Sequence, residues 1–375
     1  MRLRIYIFRL LVLVLPLLSI WHVADAQTSS SRDYTFGVNL RPSYVMPTHG
    51  FYNGWNELNK PIRAGGTFDL QYGFSKGDSP VLQGLGLGVH TFFAHELVGT
   101  PATLYVFQNV PLVNLSNRLS FGYEWNLGLS SGWKANNVAI SSPGNIFINV
   151  GAFFTWKADK YWDVVFGPEF THFSNGDTSF PNGGANTINF RVGARRHYLP
   201  SETVSSVNIF NADFAGMQLS DRIIYDLSLL GGWRADRSLS GGHLHIFNEK
   251  FLLAGFQFNP LYRFNSHLSA GPSIDLLYDR SADLIVDESG CYSNPGFSSQ
   301  SALGLSLRGE IKMPIFAVNV GAGYNFTFGG SDLKGLYTSF ALKAFLCDNM
   351  FLTVAYRLSS VNYAHNLMFG LGFRL

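Results

Sequence analysis

The chain has 375 residues, of which 46% are hydrophobic, 15% aromatic and only 14% charged, and it contains 39 glycines. Soluble domains carry about 25% charged residues and about 7% glycine, so this composition is unlike that of a typical cytosolic enzyme or a disordered chain. The formal net charge of +2 is nearly balanced, and we expect no nucleic-acid partner. Two cysteines are too few for a disulfide scaffold, and we expect no metal site and no cofactor.

Residues 1–26 have the features of a secretory signal peptide. Three arginines precede a short apolar run over residues 10–20, and an Ala-Asp-Ala sequence at residues 24–26 forms a cleavage site. The run is short for a membrane span, and Pro16 interrupts it. We therefore expect a cleaved signal peptide and an exported mature chain over residues 27–375, the alternative being a retained N-terminal anchor.

Large apolar residues alternate with small or polar ones through most of the mature chain. In residues 316–326 one face carries Phe, Val, Val, Ala, Tyr and Phe, whereas the other carries Ala, Asn, Gly, Gly and Asn. Residues 146–156 and 366–375 show the same period of two. A soluble β-sandwich also alternates, but it packs its apolar face against a second sheet. In this chain the face opposite the apolar one is small or polar, which suits strands that separate lipid from a water-filled interior. The pattern predicts an all-β fold, a transmembrane antiparallel β-barrel in the bacterial outer membrane.

The alternating segments predict about sixteen strands between residues 34 and 375, although twelve or fourteen strands remain alternatives because the fourth is weak. Connections after even-numbered strands are short and those after odd-numbered strands are long. Periplasmic turns of such barrels are short, so odd-numbered strands should run toward the cell surface. The connection over residues 199–220 is long where a short turn is expected. We expect one barrel rather than two, because no separate linker is obvious.

Candidate catalytic groups are concentrated in the hairpin of residues 161–198. His172 and Ser174 fall on the outward face of one strand, near its outer end, and Asn186 falls on the same face of the next strand. Residues two apart on a strand are same-face neighbours, which gives a base and a nucleophile a plausible reach. Polar groups that face lipid are costly and usually functional, although such residues can also simply mark the membrane interface.

A carboxylate of the same hairpin faces the other way. Glu169 is only three residues from His172, but it points inward. We expect it to pair in the lumen with Arg191 or Arg195 rather than to act at the candidate site.

The two halves of this hairpin carry a family signature. Residues 171–176 read Thr-His-Phe-Ser-Asn-Gly, and residues 181–186 read Pro-Asn-Gly-Gly-Ala-Asn. They resemble the lipid A 3-O-deacylase (PagL) family of outer-membrane acyl hydrolases, in which H-x-S-N and P-N-x-G-x-E segments supply a Ser-His-Glu triad. Asn186 stands where that family has its acid. The family barrel has eight strands, so the resemblance covers roughly residues 34–198 and leaves residues 199–375 as additional strands.

The resemblance implies that Ser174 is the nucleophile, that His172 is its base, and that Asn186 orients the imidazole. Asn175 and Gly176 become candidates for holding the oxyanion or positioning the loop. The implied function is removal of an ester-linked acyl chain from lipid A or lipopolysaccharide of the outer leaflet, without a cofactor. The alternative is a catalytically silent porin or transport barrel, which the larger strand number and the missing acid favour.

Overall fold

The computed structural model describes residues 33–359 and 365–375, apart from residues 76–78, 136–138, 212, 215, 241 and 242. The predicted signal peptide lies outside the described residues. In the described part of the chain, no helix is long and apolar enough to cross a membrane.

The first eight strands form a closed antiparallel barrel. Its strands are β1 (Tyr34–Val45), β2 (Ala64–Ser75), β3 (Leu82–Thr91), β4 (Gly99–Asn114), β5 (Leu119–Trp133), β6 (Gly144–Lys157), β7 (Trp162–Ser174) and β8 (Ala185–His197). Closure follows from the pairing of β1 with both β2 and β8. A 3-10 turn at Gly50–Asn53 and a single helical turn at His95–Val98 lie in its longer connections.

The remaining long strands form a second closed antiparallel barrel. Its strands are β9 (Ile223–Ser240), β10 (His243–Arg263), β11 (Leu268–Asp279), β14 (Ser301–Lys312), β15 (Phe316–Thr327), β16 (Gly335–Cys347), β17 (Met350–Ser359) and β18 (His365–Arg374). β18 closes the barrel by pairing with β9. The two-residue strands β12 (Ile285–Val286) and β13 (Tyr292–Ser293) pair with each other in the connection between β11 and β14.

The predicted barrel fold and the count of sixteen barrel strands are confirmed, but the expectation of a single barrel is wrong. Residues 198–222 are the linker that the sequence did not reveal. The Val204 N–H donates to the Asn117 carbonyl at 3.2 Å and the Val207 N–H donates to the Pro111 carbonyl at 2.8 Å, so the linker runs along the β4–β5 turn. This path explains why the connection is long where a short turn was expected.

Short and long connections lie at opposite ends of the strands. We call the end with residues 115–118, 158–161, 313–315 and 348–349 the turn end, and the end with residues 46–63, 175–184, 280–300 and 328–334 the loop end. The alternating pattern predicts a long loop over residues 233–248, but these residues lie largely in β9 and β10. There the two strands continue as a hairpin in which residues 234–240 pair only with β10.

The outward faces of both barrels are apolar. Exposed outward side chains include Leu40, Phe68, Phe190, Leu305 and Phe369. In a closed barrel every strand finds a hydrogen-bonding neighbour, which is what a β structure needs to cross a bilayer. The chain is an outer-membrane β-barrel protein.

Ionic side chains fill the interior of the first barrel. Arg41 Nε lies 2.6 Å from Glu169 Oε2, and Arg191 Nη1 lies 2.7 Å from Glu124 Oε1. Arg191 also lies 3.4 Å from Glu169, so the predicted lumen pairing of that carboxylate is confirmed. Eight-stranded barrels are just wide enough for side chains to fill, and this lumen follows that rule.

A second ionic cluster fills the interior of the other barrel. Lys343 Nζ lies 2.6 Å from Asp226 Oδ2, and Arg374 Nη2 lies 2.5 Å from Glu310 Oε1. Because these side chains are also nearly excluded from solvent, both lumens are packed with paired charges rather than left open.

The two barrels pack side by side. Near the turn end, an apolar cluster joins them through the linker; it consists of Val81, Val110, Val207 and Met313. On the facing surfaces, the rings of Trp125 and Phe316 meet edge to face with centroids 5.1 Å apart. At the loop end, the Ala235 N–H donates to the Asp177 carbonyl at 2.8 Å. Contacts between the barrels therefore extend along the strands and reach the loop that follows Ser174.

Candidate active site

β7 and β8 place the three candidate catalytic residues side by side near the loop end. In the antiparallel register His172 lies directly opposite Asn186, and Ser174 lies opposite Ile146 of β6. All three polar side chains are half-buried, and the even-numbered positions of both strands face outward as the sequence predicts. The structure therefore brings the predicted residues together on the membrane-facing surface.

His172 and Asn186 form a direct side-chain pair. His172 Nδ1 lies 2.7 Å from Asn186 Oδ1. An amide oxygen only accepts, so Nδ1 carries the proton and the lone pair of Nε2 is left as a base. The Asn186 amide is itself held, because its Nδ2 donates to Thr48 Oγ1 at 3.0 Å. Thr48 thereby keeps the amide oxygen turned toward the imidazole.

Ser174 and the imidazole of His172 both lie next to Gly184. A Cβ added at Gly184 would lie 3.3 Å from His172 Cε1 and 3.8 Å from Ser174 Cβ, so both residues line one small volume. In the part of the chain that the structure describes, the Ser174 hydroxyl makes no hydrogen bond. Hydrogen bonds between a nucleophile and its base are often looser without substrate, and the arrangement is compatible with such a pair.

The loop over residues 175–184 is held together by Asn175. Its Nδ2 donates to Ser179 O at 2.8 Å and to Ser141 Oγ at 3.2 Å, and its backbone N–H donates to Asn182 Oδ1 at 3.1 Å. These contacts use all three of its N–H donors, so the geometry does not support Asn175 as an oxyanion donor. It supports the other role that the resemblance allowed, that of positioning the loop.

Gly176 lies where the first barrel meets the second. Its φ of +65° is in the left-handed region, which a glycine adopts without strain. An added Cβ would approach Leu367 Cδ2 to 2.9 Å, so the loop and β18 are in close contact there. Among the described residues, the Gly176 N–H has no hydrogen-bond acceptor, which leaves it as a backbone donor two residues after Ser174.

A cavity of about 210 Å³ lies between the barrels beside these residues, and we call it the inter-barrel cleft. The first barrel contributes Trp125, Asn126, Leu127, Ile146, Ile148, His172, Ser174 and Gly176. The second contributes Val318, Phe340, Ala341, Leu342, Val354, Tyr356 and Leu367. The cleft is therefore mostly apolar, with the candidate catalytic pair in its wall.

A larger cavity of about 570 Å³ lies on the first barrel, and we call it the first-barrel cavity. Its apolar lining includes Phe68, Leu87, Val89, Leu104 and Leu129, and Ile146 lines it as well as the inter-barrel cleft. His172 and Ser174 do not line it. Among the described residues, no group of three or more His, Cys, Asp or Glu side chains is arranged to hold a metal ion.

The second barrel is similar in sequence to a known family of domains. Residues 223–375 match the family model of the acyloxyacyl hydrolase C-terminal domain, PagL_C, and β9–β18 span the same part of the chain. The second barrel is therefore similar to the C-terminal domain of PagL-type acyloxyacyl hydrolases. The predicted resemblance to the PagL family is confirmed, but the match lies in residues 223–375 and not in residues 34–198, where the His-x-Ser motif placed it. No curated protein matches the chain in sequence.

Solved structures that resemble the chain are outer-membrane barrels. An outer-membrane channel from Pseudomonas putida F1 shares 9% identity at a TM-score of 0.21, covering 93% of this chain and 97% of that one. The β-domain of a Bordetella autotransporter shares 8% identity at a TM-score of 0.21, covering 92% and 99%.

Two contributions to the site were not found from the sequence. Thr48 reaches Asn186 across 138 positions of the chain, and the linings of β15–β18 reach the cleft only because the barrels pack together. No local motif marks either of them. The alternation of β16 and β17 predicts outward side chains, but it does not distinguish those that face lipid from those that face another barrel.

Proposed function

We propose that the protein removes an ester-linked acyl chain from lipid A or lipopolysaccharide in the outer leaflet, with Ser174 as nucleophile and His172 as general base. The observation that carries the proposal is the 2.7 Å contact between His172 Nδ1 and Asn186 Oδ1 on the outward face of the first barrel. The acyloxyacyl hydrolase domain in the second barrel supports the same reaction class.

In the proposed reaction, His172 Nε2 takes the proton of the Ser174 hydroxyl as Oγ attacks the ester carbonyl carbon. The imidazolium returns this proton to the glycolipid oxygen as the ester C–O bond breaks, which leaves an acyl-serine. A water molecule, deprotonated by the same nitrogen, then releases the fatty acid and restores Ser174. Asn186 holds the ring and its tautomer throughout, but as a neutral amide it does not offset the imidazolium charge.

The tetrahedral intermediate needs hydrogen-bond donors for its oxyanion. The Gly176 N–H is the candidate donor in this chain, because the N–H groups of Asn175 are already used within the loop. Asn175 supports the reaction indirectly, by fixing the loop that presents Gly176.

The position of the site supports a membrane lipid as the substrate. His172 and Ser174 lie on an apolar outward surface, so an ester embedded in the membrane can reach them without leaving the lipid phase. The site lies at the loop end, which we predict to face the cell surface, and its depth would then match the outer leaflet. Lipid A is the acylated glycolipid of that leaflet.

The alternative function, a porin or transport barrel, requires an open lumen. Buried ion pairs occupy the interiors of both barrels, as in Arg191 with Glu124 and Lys343 with Asp226. A channel also does not require an outward-facing His–Asn pair. These observations favour the hydrolase.

Mass spectrometry of lipid A tests the proposal. Cells that express the protein should lose one acyl chain from lipid A, whereas cells that express Ser174→Ala should keep it. The Ala variant should still show heat-modifiable migration, because one half-buried hydroxyl contributes little to barrel stability. Deacylation by the Ala variant would exclude Ser174 as nucleophile, and unchanged lipid A with the wild-type protein would refute the proposed activity.

A further inference from the structure

We propose that the inter-barrel cleft holds the acyl chain that is to be cleaved, so that the second barrel forms one wall of the substrate site. This inference rests on the proposed function and deepens it, because it gives residues of β15–β18 a role in chain binding. The ligand class is a long, unbranched fatty acyl chain attached through an ester.

Side-chain exposure on the second barrel shows which part of its outward face is covered. On β18, Leu367 is only 8% exposed, whereas Leu371 and Phe373 on the same face are 39% and 47% exposed. On β15, Phe316 is 3% exposed, but Val320 on the same face is 44% exposed. The second barrel thus turns part of an ordinary lipid-facing surface toward β5 of the first barrel and toward the loop that follows β7.

The covered surfaces do not close completely, and the space between them is the inter-barrel cleft. Gly176 of the first barrel lies against Leu367 there, and the second barrel also contributes Phe340, Leu342 and Val354 to the lining. His172 and Ser174 are among the few polar side chains in the lining. A chain lying in this cleft would therefore have its ester next to the nucleophile.

The apolar lining of the inter-barrel cleft favours an acyl chain over water as its occupant. Apolar cavities stay dry and accept apolar ligands. The inter-barrel cleft lies between two lipid-facing surfaces within the membrane, so lipid chains can enter it. The first-barrel cavity is also apolar and is larger, but Ser174 does not line it. The reacting chain therefore belongs in the inter-barrel cleft.

A photo-crosslinking experiment on the full-length protein tests this assignment. The probe is an octyl fluorophosphonate with a diazirine at the end of the alkyl chain. Its phosphorus bonds to Ser174 Oγ with loss of fluoride, and light then joins the chain end to whatever it touches. We expect crosslinked peptides from β16 and β17, around residues 340–342 and 354–356. Crosslinks to Leu104 and Leu129 alone, or to lipid alone, would overturn the inference, whereas no phosphonylation of Ser174 would instead refute the proposed function.

A chain-length profile gives an independent measurement. Val354→Trp narrows the cleft, and Leu276→Trp is the control, because Leu276 is 45% exposed on β11, outside the cleft lining. We expect Val354→Trp to lower the ratio of palmitate to butyrate ester hydrolysis about tenfold, a size typical of altered apolar pockets, and Leu276→Trp to leave the ratio unchanged. Val318→Trp repeats the test from β15 if Val354→Trp does not fold. An unchanged ratio in a folded cleft variant would refute chain binding between the barrels.

Discussion

Asn186 Oδ1 lies 2.7 Å from His172 Nδ1, at the position where the resembling family has a carboxylate. The amide can fix the ring and its tautomer, as a carboxylate does, but it cannot stabilise the imidazolium by charge. In the proposed reaction, the site would therefore act as a Ser-His-acid triad with a weaker electrostatic contribution from its third member.

Substitutions at Asn186 can distinguish its role in orienting the His172 ring from the effect of a negative charge on the imidazolium. Asn186→Ala removes the acceptor of the Nδ1 proton, so we expect the deacylation rate to fall about tenfold to a hundredfold. Asn186→Glu should keep or raise the rate, because a carboxylate both orients the ring and stabilises the imidazolium. The measurement is the rate of fatty-acid release from lipid A by purified protein.

The control for these variants is Ile188→Ala. Ile188 faces outward two residues farther along β8 and is 49% exposed, so its truncation should leave the rate unchanged. An Asn186→Ala rate equal to wild type would remove Asn186 from the mechanism.

Thr48 should matter because it holds the Asn186 amide. Thr48→Val removes the acceptor of the 3.0 Å bond from Asn186 Nδ2, so the amide can rotate and turn its NH₂ group toward His172. We expect kcat to fall about threefold to tenfold, the size of one lost hydrogen bond, while KM stays close to wild type. Thr48→Ser keeps the hydroxyl and should restore the rate. If Thr48→Val and Thr48→Ser have the same kcat, the threonine is not a positioning residue.

The two native cysteines test the orientation of the strands. Cys291 lies in the connection at the loop end and Cys347 ends β16 at the turn end, and both thiols are free and exposed. If odd-numbered strands of each barrel run toward the cell surface, a membrane-impermeant maleimide on intact cells should label Cys347→Ser but not Cys291→Ser. Lysed cells provide the control, since both variants should then react. The reverse pattern on intact cells would place the candidate site in the inner leaflet.

Arg191 should be important for the stability of the first barrel. It is 1% exposed and pairs with Glu124 at 2.7 Å, so Arg191→Ala leaves a carboxylate buried without its main partner. We expect the free energy of unfolding to fall by about 3–5 kcal/mol, measured by urea titration of heat-modifiable migration. Arg196→Ala, at an exposed position of the same strand, should change it by less than about 0.5 kcal/mol. Equal effects of the two substitutions would mean that the lumen pair adds nothing.

The alternation of the sequence determined the strands and the direction of their side chains. His172, Ser174 and Asn186 face outward as predicted, and Glu169 faces inward toward Arg191, because a period of two fixes the face of every residue once one face is apolar. The shared hairpin also placed the His–Asn pair within reach, since its register is local.

Which strands pair to close each barrel is visible only in the tertiary structure. The same alternating pattern is compatible with one large barrel or two small ones, and the difference lies in whether β8 pairs with β1 or with β9. The sequence pattern likewise did not predict the roles of Thr48 and of the cleft wall that includes Val354, because these residues reach the site from distant parts of the chain. Sequence periodicity is a property of each strand by itself, whereas closure and the approach of two barrels depend on contacts between strands that no local pattern records.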